Sequence, residues 1–472
     1  MNILSQLRNS VPGLPHSVQG LFRDDRLYRY LNVYPLKGLC KGRTDNHAER
    51  APPIHTLPVE LLAEIFRHYV QIVDYSQPSH SLSVQPYSQT TPFLLAEVCY
   101  YWRSVALSMG DLWQSMFIGP PKMEHIPLVR LWLNHAGEYP LSLSLFQSDR
   151  PSDSEIQATN EILTLLVNRL HRWRTIDFRF SAVVHQVLLA IPHGSAVSLE
   201  AAHVDVRDWD RTSADKLWRA LHSSPTICRP EWVNFYWSGP PNHAPWAQLT
   251  HITLEGLLPS DVILSILQQC QSVVNLVVPH LVPGGTSYQM RPVVLPHLCS
   301  MSISAKTELD PLFQSLLLPS LVSLNITYRR DACNMCSSLH LDDLISRSQC
   351  QLRKLTLCDT DMNESEDKIL DHLRIPALQS LIELKLFNPV SDKTIRLLSS
   401  YAEKEQLLPR LQSISLTCCT SDGVLSDMIV SRLPTLRTIH LSLRCDKHSY
   451  HHDRALLDNI QRKECHVEVE LF

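Results

Sequence analysis

Eight segments of the chain share one frame, and that recurrence constrains the fold more than any single motif does. Four of them read L-P-x-L-x-x-φ-x-φ, where φ is a bulky apolar residue: LPHLCSMSI (295–303), LPSLVSLNI (318–326), LPRLQSISL (408–416) and LPTLRTIHL (433–441). The same core without L-P recurs at LTHITL (249–254), VVNLVV (273–278), LRKLTL (352–357) and LIELKL (381–386). Alternating φ residues describe a short strand with one face in a core. A strand of that length cannot bury its apolar face alone, so eight in order at a near-constant period predict a stack of repeats joined into a parallel sheet.

Successive frames begin 24, 25, 23, 31, 29, 30 and 25 residues apart, against about 20 to 29 for leucine-rich repeats. The position that usually carries Asn or Cys in such repeats is Cys419 in one frame but Leu257 and Arg444 in others, so the solenoid is expected to be irregular. Residues alternating with the φ positions should line its concave face. That predicts a band of Lys354, Thr356, Glu383, Lys385, Phe387, Ser413, Ser415, Thr438 and His440. It is mainly neutral and polar, with a small charged centre and one aromatic. Lys354, Glu383, Lys385, Phe387 and His440 are its candidate target contacts.

Upstream the texture changes three times. Residues 1–53 mix charges, prolines and aromatics without periodicity and read as poorly ordered. Residues 54–118 hold two helical patterns. In the first, Leu57, Leu61, Ile65 and Tyr69 fall four apart, Leu62 and Phe66 widen the stripe, and Pro58 stands at the start, where a missing N–H costs nothing. A loop rich in Ser, Pro, Gln and Thr, 74–92, precedes the second pattern through Leu94, Val98, Trp102 and Val105. Gly110 can close that helix, and Leu112 and Trp113 return to the core. Residues 119–245 read as helix-and-strand units leading into the solenoid of 246–472. One has a helix through Leu128, Leu131 and Trp132 stopping at Gly137, then a strand through Leu141, Leu143 and Leu145. The next has a strand through Ile176, Phe178 and Phe180. The fold class is therefore α/β, an N-terminal helical unit followed by an irregular solenoid with a parallel sheet.

Charge and composition exclude several functions. Lys and Arg number 43 against 47 Asp and Glu, so no global field favours nucleic acid or an anionic membrane. The longest apolar runs are interrupted well short of the roughly 18 residues of a membrane span, and the first twenty residues lack a signal peptide's apolar core. Thirteen scattered cysteines, an odd number, suggest reduced thiols in an intracellular compartment, cytoplasmic or nuclear. Only 13 glycines are present, and no G-x-G-x-x-G, P-loop or G-x-S-x-G occurs.

Chemical candidates are few. Cys333 and Cys336, with His340 and Cys350 nearby, lack the second paired knuckle of a zinc ribbon. His448, His451 and His452 lack the intervening Glu of a zincin helix, and Asp205, Asp208 and Asp210 lack the glycine and distal Glu of a calcium loop. The cysteines read as loop cysteines near a helix start, the histidines as a solvated loop and the aspartates as an exposed face. No metal, cofactor or catalytic residue is expected.

The L-P start of LPVELLAEIF, its E-L-L step and I-F pair, with LAEVCYYWRSVALSMGDLW after the spacer, resemble an F-box. The form is the one found in F-box-like proteins of mushroom-forming fungi, and LNHAGEYPLSLSL and HRWRTIDF are similar to that group too. The resemblance implies that the helical unit binds a Skp-type adaptor, and through it a cullin-based ubiquitin ligase. By motif, Leu57, Pro58, Leu61, Ile65, Phe66, Val98 and Trp102 would form the adaptor-facing or supporting apolar set. The repeats would bind a protein target, and no chemistry would occur on this chain. The alternatives are a repeat scaffold unconnected with ubiquitin, or an enzyme whose site is assembled from distant repeats.

Overall fold

The computed structural model describes residues 57–71, 92–180, 185–205, 209–232, 241, 243–283, 292–329, 338–359, 366–400, 406–418, 420–443, 452–453 and 466–471. The described residues fall into two compact units, those within 57–141 with 147–168, and those within 142–146 with 169–471. The fold is α/β, with a helical first unit and a repeat-built second unit whose paired strands run parallel.

The first unit opens with α1 (Val59–Gln71), α2 (Pro92–Val98) and α3 (Tyr100–Ser108), followed by a 3-10 turn (Gly110–Trp113), β1 (Ser115–Ile118), α4 (His125–His135) and α5 (Asp153–Val167). The second helical pattern in the sequence is two helices, because Cys99 is extended (φ −161°, ψ 173°) and its Sγ accepts a hydrogen bond from the Trp102 N–H, starting a new helix. The buried side chains of α2 are accordingly Pro92, Phe93, Leu95 and Ala96, while Val98 points outward. In α4 the buried row is Ile126, Val129 and Leu133, one step round from the expected Leu128 and Leu131. Trp132 meets Phe93 and Trp113 edge-on at 5.4 and 5.2 Å, and its indole N–H donates to the Trp113 carbonyl at 2.6 Å. Leu112 and Trp113 are core residues, as the sequence suggested. Gly110 is needed for a close approach: a Cβ there would stand 2.8 Å from the Tyr139 ring and 3.1 Å from the His135 carbonyl.

The second unit begins with β2 (Leu141–Phe146), β3 (Trp173–Arg179), α6 (His185–Leu189), β4 (Ala201–Asp205), α7 (Arg211–His222) and β5 (Arg229–Glu231). β2 to β5 lie side by side in that order. Next come β6 (His251–Thr253), β7 (Leu258–Pro259), α8 (Ser260–Leu267), β8 (Asn275–Val282), β9 (Val293–Val294), β10 (Ser300–Ala305), α9 (Asp310–Gln314), β11 (Leu316–Leu317) and β12 (Ser323–Tyr328). The remainder is α10 (Ser338–Ser348), β13 (Lys354–Asp359), α11 (Glu366–Leu373), β14 (Glu383–Val390), α12 (Asp392–Leu398), β15 (Ser413–Cys418), α13 (Val424–Arg432), β16 (Thr438–Leu443) and β17 (His466–Leu471). The main sheet has the order β17-β16-β15-β14-β13-β12-β10-β8-β6, with β7 on β8, while β9 and β11 form a separate pair.

All eight sequence frames supply a strand of this sheet, in register. Leu276, Met301, Leu324, Leu355, Leu384, Ile414 and Ile439 align across seven strands, and all are buried. The leading Leu or Val of each frame is buried as well, from Leu249 to Leu436. The residue after it donates its N–H to the equivalent carbonyl one repeat back, an unbroken series from Val274→Thr250 to Arg437→Gln412 at 2.7 to 2.9 Å.

That series continues upstream of residue 246. Thr250 donates to Cys228, Cys228 to Glu200 and Glu200 to Arg174, at 2.8 to 2.9 Å. Three earlier repeats therefore exist: Trp173-Ile176-Phe178, Leu199-Ala202-Val204 and Ile227-Pro230-Trp232, each buried. Ala202 and Pro230 occupy positions where the other frames carry a bulky φ residue, which hides the pattern in the sequence.

Acidic side chains bind successive helices together. Glu366 of α11 accepts from the N–H groups of Ser391 and Thr394 at the start of α12 (3.0 and 3.1 Å), Asp392 accepts from Ser421 N–H (2.8 Å), and buried Asp453 accepts from Ser426 N–H in the first turn of α13 (2.8 Å). Glu366 and Asp453 thereby satisfy helix N-termini whose first N–H groups have no intrahelical partner, while Asp392 holds the turn that leads into α13.

Candidate functional site

The stripe of α1 divides into two rows with different neighbours. Leu62 and Phe66 are fully buried, and the Phe66 ring meets Trp102 of α3 edge-on at 5.0 Å. Two polar contacts hold the hairpin beside that pair: Tyr101 Oη donates to the Leu57 carbonyl at 3.3 Å, and Arg67 Nε donates to Asp111 Oδ2 at 2.6 Å. The Pro58 carbonyl accepts from both Leu61 and Leu62 N–H at 3.1 Å, which fixes where α1 begins.

The other row does not enter this core. Leu61 is 54% exposed, Leu57 and Ile65 are half-buried, and Pro58 is exposed. Val98 at the end of α2 is 42% exposed and Tyr100 at the start of α3 is 60% exposed. Trp102 is half-buried, with its indole N–H shielded from water and without an acceptor. Six of the seven motif residues thus retain accessible surface, and Phe66 lies beneath as support. Sequence periodicity missed Val59 (46% exposed) and Tyr100, which add apolar surface; both stand outside the four-apart series.

The predicted band on the repeats is one continuous face. Lys354, Glu383, Ser413 and Thr438 are aligned neighbours on four strands, and Thr356, Lys385, Ser415 and His440 are aligned two residues further along. Lys354 Nζ and Lys385 Nζ share the Glu383 carboxylate at 2.9 and 3.1 Å. Burial pushes that carboxyl up, but the two ammonium groups outweigh it and hold it below the usual range. Phe387 is 51% exposed at an irregularity in β14, where the pairing with β15 jumps between Leu386 and Pro389.

The chemical candidates disperse. Cys333, Cys336, His448, His451 and Asp208 lie outside the described residues. His340 is 2.9 Å from Asp310, and Cys350 is buried. Asp205, expected on an exposed face, is 2% exposed in β4, where strand alternation is interrupted and two successive residues face inward. Asp210 caps α7 by accepting from Ser213 N–H at 3.0 Å. Among the described residues no group of three or more His, Cys, Asp or Glu is placed to hold a metal ion, and no helix is long and apolar enough to cross a membrane.

One hydrogen-bonded chain, buried at its Trp232 end and part-buried beyond it, has no signal in the sequence. Trp232 Nε1–H donates to His222 Nε2 at 3.0 Å, so the His222 proton sits on Nδ1 and is donated to His243 Nδ1 at 3.0 Å. His243 then carries its proton on Nε2 and donates to Asp215 Oδ1 at 2.9 Å. Every member is satisfied with both imidazoles neutral. Burial, with His243 adding to it, lowers the His222 pKa from 6.5 to about 3. The unfolded chain therefore takes up a proton below pH 6.5 that the folded chain refuses, so stability present above pH 6.5 is lost as pH falls toward 3. Between pH 6.5 and 5 we expect a loss of about 2 kcal/mol from this residue. Urea unfolding at both pH values should show a correspondingly smaller acid loss in His222→Gln.

No protein-family model matches the chain, and a search of curated proteins found no match. Among solved structures, the crystal structure of the Rad7 and Elc1 complex in yeast is similar, at 11% sequence identity and a TM-score of 0.38, covering 96% of this chain and 98% of that chain. A likeness at that level carries neither a family nor a function.

Proposed function

We propose that this chain is the substrate-recruiting subunit of a Skp/cullin/F-box-type ubiquitin ligase. Its helical unit docks on a Skp-type adaptor, its repeats hold a protein target, and ubiquitin transfer takes place on other chains. The observation that carries this reading is the divided stripe of α1. Leu62 and Phe66 complete the hairpin's own core, while Leu57, Leu61 and Ile65, with Val98 and Tyr100, keep apolar surface exposed. Clustered exposed apolar side chains mark interaction sites, and these occur within the segment that resembles an F-box. Tethering both partners raises the effective concentration of the target near the ubiquitin-charged enzyme without a catalytic group on this chain.

The test is association of the full chain with a purified Skp-type adaptor, measured by calorimetry, beside the double variant Leu61→Asp/Ile65→Asp. We expect binding by the unaltered chain and at least about tenfold weaker binding by the variant, because two carboxylates would be desolvated at an apolar contact. No binding by the unaltered chain, or equal binding by a folded variant, means the helical unit does something else.

A further inference from the structure

The regular alternation of the main sheet breaks at Pro279. Leu276 and Val278 are buried, Pro279 and His280 both face outward, and Leu281 is buried again. A proline has no N–H to continue the ladder, and the register of β8 against β10 shifts between Ile303 and Ala305. The bulge sets His280 beside Ser304, because Leu281 pairs with Ala305. Lys306 and Arg329 follow directly at the ends of the next two strands, where their N–H groups donate to Leu281 and Ala305 carbonyls at 2.9 Å. Bulges re-aim side chains and are over-represented beside functional sites.

These residues form a basic cluster unlike the others on this face. Arg329 Nη1 is 3.4 Å from His280 Nδ1, and since a guanidinium only donates, the imidazole accepts there and is neutral. Burial, then Arg329 and Lys306, hold the His280 pKa below its ordinary value. Elsewhere cations on the strands are matched: on the main sheet Lys354 and Lys385 share Glu383, and on the five-stranded sheet Arg179 is 3.1 Å from Asp177 and Arg229 reaches Glu200 at 3.9 Å. Among the described residues, no carboxylate pairs with Lys306 or Arg329. Beside them the Ser304 hydroxyl is shielded from water with no hydrogen-bond partner.

We infer that this face carries a docking site for an extended, acidic protein segment, whose carboxylate is held by Lys306 and Arg329 beside Ser304 while an apolar side chain of the same segment rests on Phe387. β14 lies two strands from β12 and three from β10, and at a strand spacing of about 4.8 Å that is roughly 10 to 14 Å, or three to five residues of extended chain. Charge complementarity selects the occupant. Two unmatched cations suit one or two carboxylates and are too few for the phosphate track of a nucleic acid, and an exposed aromatic within reach gives a protein segment its second anchor. The inference rests on the reading that the repeats hold a protein target, and it specifies the chemistry of that target.

The test is to pan a phage-displayed library of random linear 12-residue peptides on the full chain and measure the enriched peptides by fluorescence anisotropy. The expected peptides carry Asp or Glu three to five residues from a bulky apolar residue, and bind about tenfold or more weakly to Lys306→Glu/Arg329→Glu and to Phe387→Ser. Circular dichroism melts of the variants must match the unaltered chain; if they do not, Arg329→Gln provides the comparison. Leu61→Asp/Ile65→Asp should bind the same peptides unchanged, which separates this site from adaptor docking. Enrichment of neutral or basic peptides, recovery of none, or acidic peptides indifferent to the loss of charge would overturn the inference.

Discussion

Replacing Arg432 with Met should destabilise the C-terminal repeats by about 3 to 5 kcal/mol, although no ion pair is lost. Arg432 closes α13, is 1% exposed, and gives its guanidinium entirely to backbone carbonyls: Nε to Leu398 and Nη1 to Leu408, both at 2.6 Å, and Nη2 to Leu407. Those carbonyls belong to the end of α12 and to the turn leading into β15, so one side chain joins three pieces of chain. In that turn Leu408 adopts φ +52°, a left-handed conformation that a leucine rarely takes. It is fixed by Arg432 on its carbonyl and by Gln379 Oε1, which accepts its N–H at 2.8 Å. Methionine fills similar volume but leaves the Leu398 and Leu407 carbonyls unpaired, each costing roughly 1 to 3 kcal/mol, and leaves the Leu408 carbonyl only its 3.2 Å bond from the Leu411 N–H. Relief from burying a charge, which lowers the Arg432 pKa, offsets only part of this. Repeats in a stack depend on their neighbours, so the loss should be local. Hydrogen exchange should quicken in β15 to β17 while β6 to β12 keep their protection, and urea unfolding should gain an earlier transition. Uniform loss along the sheet, or a cost under about 1 kcal/mol, would show that the turn is held by its apolar side chains instead.

Much of this architecture was legible because its cause is periodic. A residue that must be buried every second position, in a frame that must align with its neighbours, leaves a mark that survives substitution of any one member; hence the alignment of Leu276 to Ile439 is legible in the sequence alone. The earlier repeats were hidden where the same burial is met by other means. Ala202 lies in register between Ile176 and Pro230, and Ala202 and Pro230 are both buried although neither is bulky, so the frame leaves no apolar pattern there. The helical unit shows a second limit. Spacing placed Leu57, Leu61, Ile65, Leu62 and Phe66 on one broad stripe, but which edge of it meets Trp102 is a property of α3, and α3 begins where Cys99 caps it. His280, Lys306 and Arg329 are 26 and 23 residues apart. Only a register that includes the bulge at Pro279 brings them together.

The division of the α1 stripe has a consequence large enough to measure on two scales. Phe66→Ala should cost about 3 to 5 kcal/mol. The ring is fully buried, and its edge-on contact with Trp102 at 5.0 Å adds about 0.5 to 1.5 kcal/mol beyond area alone. Leu61→Ala, four residues before Ile65 on the same helix but 54% exposed, should cost under about 1 kcal/mol, since less than half of its side chain leaves water on folding. Adaptor affinity should order the pair by another rule. Leu61→Ala would weaken binding in a chain of nearly unchanged stability, because its surface is removed from water only in the complex. Phe66→Ala would weaken binding only so far as the hairpin unfolds, so saturating adaptor should restore its helicity by mass action. Denaturant titrations with and without adaptor separate the two. If Leu61→Ala instead destabilises the isolated chain as strongly as Phe66→Ala, the outer row is already covered within the chain, and the apolar surface that motivates adaptor docking does not exist.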